Sequence, residues 1–332
     1  MAVVGIRCGK SEVGSAMRVL VIGGAGYIGG SVTDLLQARS IPFTVYDALL
    51  YEPHYLKPCD FIRGDVRDYD KLAKVLPNYT HVIWLAALVG DGACAIKPEL
   101  TKAINRDSVE WLASNYGGRI IFFSTCSVYG EHEGMVDENG VTNPLSVYAE
   151  TKLQAESYLR DKNALIFRLG TAFGISDTYS RPRMDLVVNA MAASAVLNGS
   201  VTVYGGEQWR PLVHVRDIAR AAVNNLNRDV TGVYNLATTN TMIYKIAEVC
   251  AEETGCAIQT VPMDKADTRN YRANVDKARK DKILTTARFN TIGDGVREFL
   301  DLINSGRISN PNATSYFNVR SVKERIRDGR IS

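Results

Sequence analysis

Arg18-Val-Leu-Val-Ile-Gly-Gly-Ala-Gly-Tyr-Ile-Gly29 is an apolar, β-branched run that breaks into glycines and then resumes with helical periodicity. It reads as a strand, a phosphate loop and a helix. Gly23 lets the chain turn sharply, Gly26 lets backbone approach a pyrophosphate, and Gly29 lets the helix pack on its strand. Tyr27 and Ile28 open that helix, whose N-terminus faces the anion. A glycine-rich turn also occurs where a strand simply meets a helix, so a second signal decides. That signal is Pro42-Phe-Thr-Val-Tyr-Asp47, whose final carboxylate stands 18 residues after Gly29. An acid at this distance reaches the ribose hydroxyls of an adenosine. The following Ala48-Leu-Leu50 offers no guanidinium for a 2′-phosphate, so the cofactor read from the pair is NAD.

Outward from this unit the pattern repeats. Short apolar runs at Asp60-Phe-Ile-Arg63, His81-Val-Ile-Trp-Leu85, Arg119-Ile-Ile-Phe-Phe-Ser124 and Ala164-Leu-Ile-Phe-Arg-Leu169 alternate with helical stretches over 68–76, 98–115 and 146–160. Strands alternating with helices imply an α/β fold, a Rossmann-type doubly wound parallel sheet with helices on both faces. Ligands in such sheets lie at the carboxyl ends of the strands, so the loops after Leu85, Ser124 and Leu169 are where chemistry is expected. Beyond about residue 180 the alternation loosens. Helices are expected over 184–197, 214–227 and 241–254, with strands at Val201-Thr-Val-Tyr204 and Gly232-Val-Tyr-Asn-Leu236. The resulting division is an N-terminal extension over 1–16, an NAD-binding domain over 17–180 with elements returning from about 201–238, and a smaller substrate-binding lobe and tail over 181–332.

Composition excludes several classes. A formal net charge of +3 with scattered basic residues argues against a nucleic-acid or membrane surface as the main partner, and no run approaches transmembrane length. Residues 1–16 carry charges and no apolar block, unlike a secretory signal. The six cysteines include no Cys-x-x-Cys pair, and the four histidines show no metal-ligand spacing. Reduced thiols, a cytoplasmic location and no metal are the expectation.

Tyr148-Ala-Glu-Thr-Lys152 puts a phenol and an ammonium four residues apart, on one face of a helix. Moving a tyrosine from a pKa of about 10 to near 7 takes roughly 4 kcal/mol of preferential phenolate stabilisation, which a neighbouring ammonium and a nicotinamide cation supply together. Of the 16 tyrosines, Tyr158 also has a lysine four residues later, Lys162. Position separates them: Tyr148 enters its helix near the sheet's carboxyl edge, and Tyr158 lies about three turns further on. Upstream, Ser124-Thr-Cys-Ser127 follows directly on an apolar strand and can place a hydroxyl beside the phenol.

Gly23-Gly-Ala-Gly-Tyr-Ile-Gly29, Gly64-Asp-Val66, Leu85-Ala-Ala-Leu88, Ser124-Thr-Cys-Ser-Val-Tyr-Gly130, Tyr148-x-x-x-Lys152 and Arg210-Pro-Leu-Val-His-Val-Arg-Asp217 together resemble the extended short-chain dehydrogenase/reductases that act on nucleotide sugars. The resemblance spans about residues 17 to 280 and is nearest to the UDP-glucose 4-epimerase-like branch. It implies Asp65 and Val66 at the adenine, Leu85, Ala86 and Ala87 as the wall beside the dinucleotide, and Asn105 ordering the active site. It further implies Tyr148 as catalytic base, Lys152 as its cofactor-binding partner, Thr125 as the catalytic hydroxyl and Arg210 on the sugar diphosphate. Val89, Cys126, Ser127, Thr171, Asn189 and Arg269 complete the implied substrate contacts, and a homodimer through 98–115 and 146–160 is implied as well.

Departures from the family pattern narrow the reaction. Family dehydratases follow the catalytic Thr with Asp-Glu, where this chain has Cys126-Ser127. In 3,5-epimerases a Cys stands two residues after the catalytic hydroxyl residue, the place of Ser127 here. Val89 replaces a lysine and Thr171 an asparagine of typical 4-epimerases. The expected activity is an NAD-dependent nucleotide-sugar 4-epimerase passing through a 4-keto sugar. The alternatives are a 4-ketoreductase or dehydrogenase with net cofactor turnover, and a non-catalytic NAD-binding sensor or scaffold.

Overall fold

Val19–Ile22, four β-branched or leucine residues with no exposed surface, form an interior strand of a seven-stranded parallel sheet, beside the central strand His81–Trp84. Burial on both faces is what a continuous apolar run predicts for a parallel strand. The computed structural model describes residues 17–52, 55–132, 134–262 and 270–331; the extension over 1–16 and Arg269 lie outside them. Across the sheet the strands run Gly232–Leu236, Ala164–Leu169, Arg119–Thr125, His81–Trp84, Val19–Ile22, Phe43–Asp47 and Asp60–Arg63. Val19 registers with Phe43 on one side and His81 on the other. From Val19–Ile22 the chain first winds toward Asp60–Arg63 and then reverses, so a crevice opens between the strand ends at Ile22 and Trp84. There the Ile22 carbonyl accepts from Leu85 N at 2.7 Å and Ala86 N at 3.0 Å.

Every strand read from the sequence over 18–169 is present within a residue or two. One helix departs from expectation. The stretch 98–115 is broken into Pro98–Lys102, a five-residue π-helical segment Ala103–Asp107, and Ser108–Asn115. A wider turn of this kind has no hydrophobic-periodicity signature and often marks a functional position.

The segment 201–238 divides its loyalties. Only Gly232–Leu236 rejoins the large sheet, paired with Ala164–Leu169, while helix Val215–Asn224 packs on the first helix, Tyr27–Ala38. Ser200–Tyr204 pairs instead with Ala257–Val261, and Trp209–His214 with Thr171–Phe173 and Thr239–Met242. Because Thr239–Met242 is a strand, the helix expected from 241 starts at Ile243. The helix expected from 214 starts one residue later, with the His214 ring accepting the N–H of Arg216 as its cap. The last described helix, Asn318–Arg327, returns across the molecule to pack on the short turn Asp91–Cys94.

Candidate active site

Three of the four glycines of the first loop, Gly23, Gly26 and Gly29, have different surroundings. Gly23 sits at φ +83°, and a Cβ there would lie 2.4 Å from Ala86 N. A Cβ on Gly29 would lie 2.4 Å from Gly24 O, whereas one on Gly26 would meet only Gly23 O at 3.4 Å. Gly23 therefore serves the strand crossing and Gly29 the helix packing, and Gly26 faces open space at the helix N-terminus, where backbone N–H groups lack helical partners. Beside it, Asp47 accepts from Ala25 N (3.1 Å, Oδ2) and Leu49 N (2.7 Å, Oδ1). Burial raises the pKa of this carboxyl, and the two N–H contacts oppose the rise. Each oxygen is aimed by one backbone donor and keeps lone-pair capacity for a ribose hydroxyl. Asp65 is held by Arg67 through the backbone N (2.9 Å), Nε (3.0 Å) and Nη2 (2.8 Å). Burial works against its carboxylate, but the Arg67 contacts outweigh it and keep its pKa below the usual range.

These residues line one cleft of about 1260 Å³, together with Tyr27, Ile28, Val66, Leu85, Ala86 and Ala87. Further along the same cleft lie Thr125, Ser127, Tyr148 and Lys152, then Val89, Thr171 and Arg210. Thr125 ends strand Arg119–Thr125 and caps the 3₁₀ turn Cys126–Tyr129, its oxygen accepting Ser127 N at 3.1 Å. Helix Val147–Leu159 is capped by Ser146, which accepts Ala149 N at 3.2 Å and donates to Asp91 Oδ1 at 2.6 Å. That cap delivers Tyr148 into the cleft at the helix's second residue, with Lys152 one turn on. Burial pushes the Tyr148 phenol well above the usual tyrosine range, Cys94 and Asp91 add to the rise, and a hydrogen bond with Thr125 and the Arg183 charge oppose it. Lys152 donates to Phe123 O at 2.8 Å. Its burial lowers its pKa to about 8.

One more turn along, Glu156 accepts from Ser124 Oγ and from Arg168, whose Nη2 lies at 2.7 Å. Arg168 also donates to the Tyr129 hydroxyl at 3.0 Å, and that hydroxyl donates to Asn235 Oδ1 at 2.7 Å. A buried ion pair so fully hydrogen-bonded fixes the helix Val147–Leu159 against the ends of the strands that carry Thr125 and Leu169.

Three expected contacts lie off the cleft. Cys126 is wholly buried with its thiol donating to Arg168 O at 3.2 Å, so it faces the sheet and not a sugar. Asn189, also wholly buried, accepts Gly174 N at 2.8 Å and donates to Arg183 O at 2.9 Å. It is a tie within the lobe. Asn105 sits in the π-helical segment, where its carboxamide accepts Leu88 N at 2.8 Å and donates to Leu88 O at 2.9 Å. It touches the wall's backbone in place of the cofactor. Tyr158 is not among the cleft residues.

Other cleft residues escaped sequence reading. Tyr51, Arg181, Arg183 and Asp185 line it, as do Val319, Arg325 and Arg330 from the last helix and the residues after it. Ser180-Arg-Pro-Arg183 is a local basic signal, but nothing local ties residues 318–331 to the first loop. Among the described residues five cysteines are free, and no group of three metal-ligating side chains forms. No described helix is long and apolar enough to cross a membrane.

A glycine cradle at a strand crossing, an acid at the second strand's end, and a Thr-Tyr-Lys set at the far end of one cleft define a dinucleotide-dependent enzyme fold of the short-chain type. Residues 19–237 match the NAD dependent epimerase/dehydratase family, and the chain belongs to it. UDP-glucuronic acid decarboxylase 1 of Arabidopsis thaliana is 28% identical over 308 residues, covering 83% of this chain and 68% of that protein. UDP-glucose 4-epimerase 3 of Oryza sativa subsp. japonica is 27% identical over 322 residues, covering 82% and 86%. The UDP-glucose 4-epimerase of Thermus thermophilus, solved in complex with NAD, matches with a TM-score of 0.73 and 27% identity over 85% of this chain and 99% of that one. NAD is the cofactor, and the open face of Gly26 beside the oriented Asp47 carboxylate fits it.

Proposed function

We propose that this chain is a nucleotide-sugar epimerase acting at sugar C4 through a 4-keto intermediate. The observation that carries the reading is that Thr125, Tyr148 and Lys152 line the NAD cleft together, with no carboxylate at positions 126 and 127. NAD supplies a reversible hydride acceptor. Tyr148 takes the proton from the C4 hydroxyl as C4 is oxidised, and returns it when the ketone is reduced on its other face. Thr125 holds the C4 oxygen, and the Lys152 ammonium favours the phenolate. Cys126 and Ser127 offer neither the acid nor the base that elimination of water needs, which supports epimerisation over dehydration. Arg210 suits the diphosphate because a guanidinium fork matches phosphate oxygens, and Thr171 lies nearby on the cleft wall. Asp65, Val66, Leu85, Ala86 and Ala87 take the cofactor contacts.

The test is incubation of the protein with UDP-glucose, UDP-galactose, UDP-glucuronic acid and their N-acetylhexosamine counterparts, following NADH absorbance, carbon dioxide and product stereochemistry together. C4 inversion without net NADH supports the reading. Stoichiometric turnover of added cofactor points to a ketoreductase or dehydrogenase, and loss of carbon dioxide to a decarboxylase; either outcome overturns it. A cytoplasmic homodimer through 98–115 and 146–160 belongs to the same proposal and is checked by sedimentation.

A further inference from the structure

Opposite the glycine loop, the segment 174–186 lowers two guanidiniums into the cleft. Arg181 and Arg183 are each only 8% exposed. Their placement follows the line of a dinucleotide. Arg181 lies over the ring of Tyr51, 4.3 Å from its centroid, and its backbone N–H donates to Glu52 at 2.7 Å; both partners belong to the loop that follows Asp47. The Arg183 carbonyl accepts from the Asn189 amide, which also lies 3.5 Å from the hydroxyl of Tyr27, the residue that opens the first helix, and both arginines line the cleft that holds Tyr148. One cation therefore stands beside the loop that follows Asp47, and the other beside the start of the first helix. Burial, with repulsion from Arg183, lowers the pKa of Arg181 to about 10, as expected of two buried cations that share a site built for an anion.

The segment is fastened on both sides. Lys57 Nζ donates to Gly30 O (3.0 Å), Thr33 Oγ1 (2.7 Å) and Asp177 Oδ2 (2.9 Å), and Ser31 and Ser176 share a hydrogen bond of 3.0 Å. A Cβ at position 30 would fall 2.4 Å from Asp177 Oδ1, so glycine there is what lets the segment lie on the first helix. On the other flank, Asn318 accepts from the Arg181 guanidinium, receives its own backbone restraint from Asp185 (2.8 Å), and donates to Val89 O at 2.8 Å. Asp185 also takes Arg183 Nε at 2.6 Å. Asp185 orients the Arg183 guanidinium, and Ser315 O and Asn318 Oδ1 orient that of Arg181; the N–H donors that remain suit phosphate oxygens.

We propose that Arg181 and Arg183 form an outer jaw on the pyrophosphate of NAD, opposing the N-terminus of helix Tyr27–Ala38, and that Asn318 is the positioning residue that holds this jaw in place. The proposal rests on the NAD dependence of the family and stands whichever reaction the site performs.

Calorimetric titration of the purified protein with adenosine, ADP, UDP and NADH, together with stopped-flow release of NADH, tests it. For Arg183→Ala, NADH and ADP affinity is expected to fall about 10- to 100-fold, the range of a charge-assisted contact, with adenosine and UDP unchanged. Arg183→Lys, which keeps the charge and most of the packing, is expected to recover part of the loss and serves if the alanine variant does not fold. Asn318→Ala is expected to speed NADH release with adenosine affinity intact. A loss confined to UDP would place the arginines on the sugar nucleotide and overturn the proposal. An equal loss for all four probes, or for none, would overturn it too.

Discussion

The side-chain amide of Asn318 donates to the Val89 carbonyl at 2.8 Å across 229 residues of sequence. Val89 begins the turn that leads through Gly90, at φ +96°, to Asp91, and Asp91 in turn accepts the hydroxyl of Ser146, the cap of the catalytic helix. The end of the chain and the start of the catalytic helix thus hold the same turn from two sides. Removing Asp91's side of this link is expected to show in turnover. Asp91→Ala leaves Ser146 its capping contact but frees the turn, so kcat should fall several-fold with NADH affinity unchanged, as steady-state kinetics beside NADH titration will show.

Tyr148→Phe should lower kcat by about 10²- to 10⁴-fold, the usual contribution of a positioned acid/base group, while the protein still binds NADH. Tyr158→Phe should leave kcat within twofold. Equal losses in the two variants would show that the wrong tyrosine has been assigned.

The loop glycines predict two kinds of failure. In Gly23→Ala the new methyl enters a left-handed backbone position and meets Ala86 N, so backbone strain alone costs about 1–3 kcal/mol and the melting temperature should fall. In Gly26→Ala the methyl has room within the protein, so stability should hold while NADH affinity drops. Thermal melts and NADH titration of both variants check this contrast.

Lys152 makes the cofactor-free protein sensitive to pH. Its folded pKa, about 8, is depressed from 10.5 by burial, so between those values the unfolded chain binds more protons than the folded one. Stability contributed at this site therefore rises with pH through that window, and below about pH 8 the penalty of burying the ammonium is fully felt. Relative to Lys152→Met, the urea midpoint of the wild type should climb from pH 8 toward pH 10. A parallel course for the two proteins would refute the assignment.

Glu156 and Arg168 are both buried and bonded bidentately. Glu156→Ala leaves a guanidinium without its counter-charge in the interior, and a loss of about 3–5 kcal/mol is expected. Urea denaturation measures it, and replacing both residues with apolar ones of similar volume should lose less.

Much of this was legible in the sequence wherever the physics is local. The run Val19–Ile22, its glycines and Asp47 announce a strand, a loop and a ribose acid because each role needs a particular residue within a few positions. Tyr148 and Lys152 were readable because a helix turns i and i+4 to one side. Asn105 is a candidate by position, but its role depends on the π-helical turn that swings its amide onto Leu88, and no periodicity encodes that turn. Cys126 follows Thr125 directly, yet the strand ends at Thr125 and the 3₁₀ turn that begins at Cys126 sends the two side chains apart, one to the cleft and one to Arg168 O. Arg181 and Asn318 carry no local signal because their partners lie more than 120 residues away, Glu52, Val89 and each other; Arg183 bonds locally to Asp185, and only the fold puts it on the cleft wall.

The strand Gly232–Leu236 enters the large sheet only after the chain has built Thr171–Phe173, helix Val187–Asn198 and two small-sheet strands. The large sheet and the small sheets are therefore threaded through each other along the chain, and no single cut separates them. A fragment ending near residue 180 would leave Ala164–Leu169, buried along its whole length, as a bare edge inviting strand-to-strand aggregation. Exchanging the small-sheet part for that of a relative requires junctions just after Leu169, just before helix Val215–Asn224, which packs on Tyr27–Ala38, and just after Leu236, where the chain returns to Thr239–Met242.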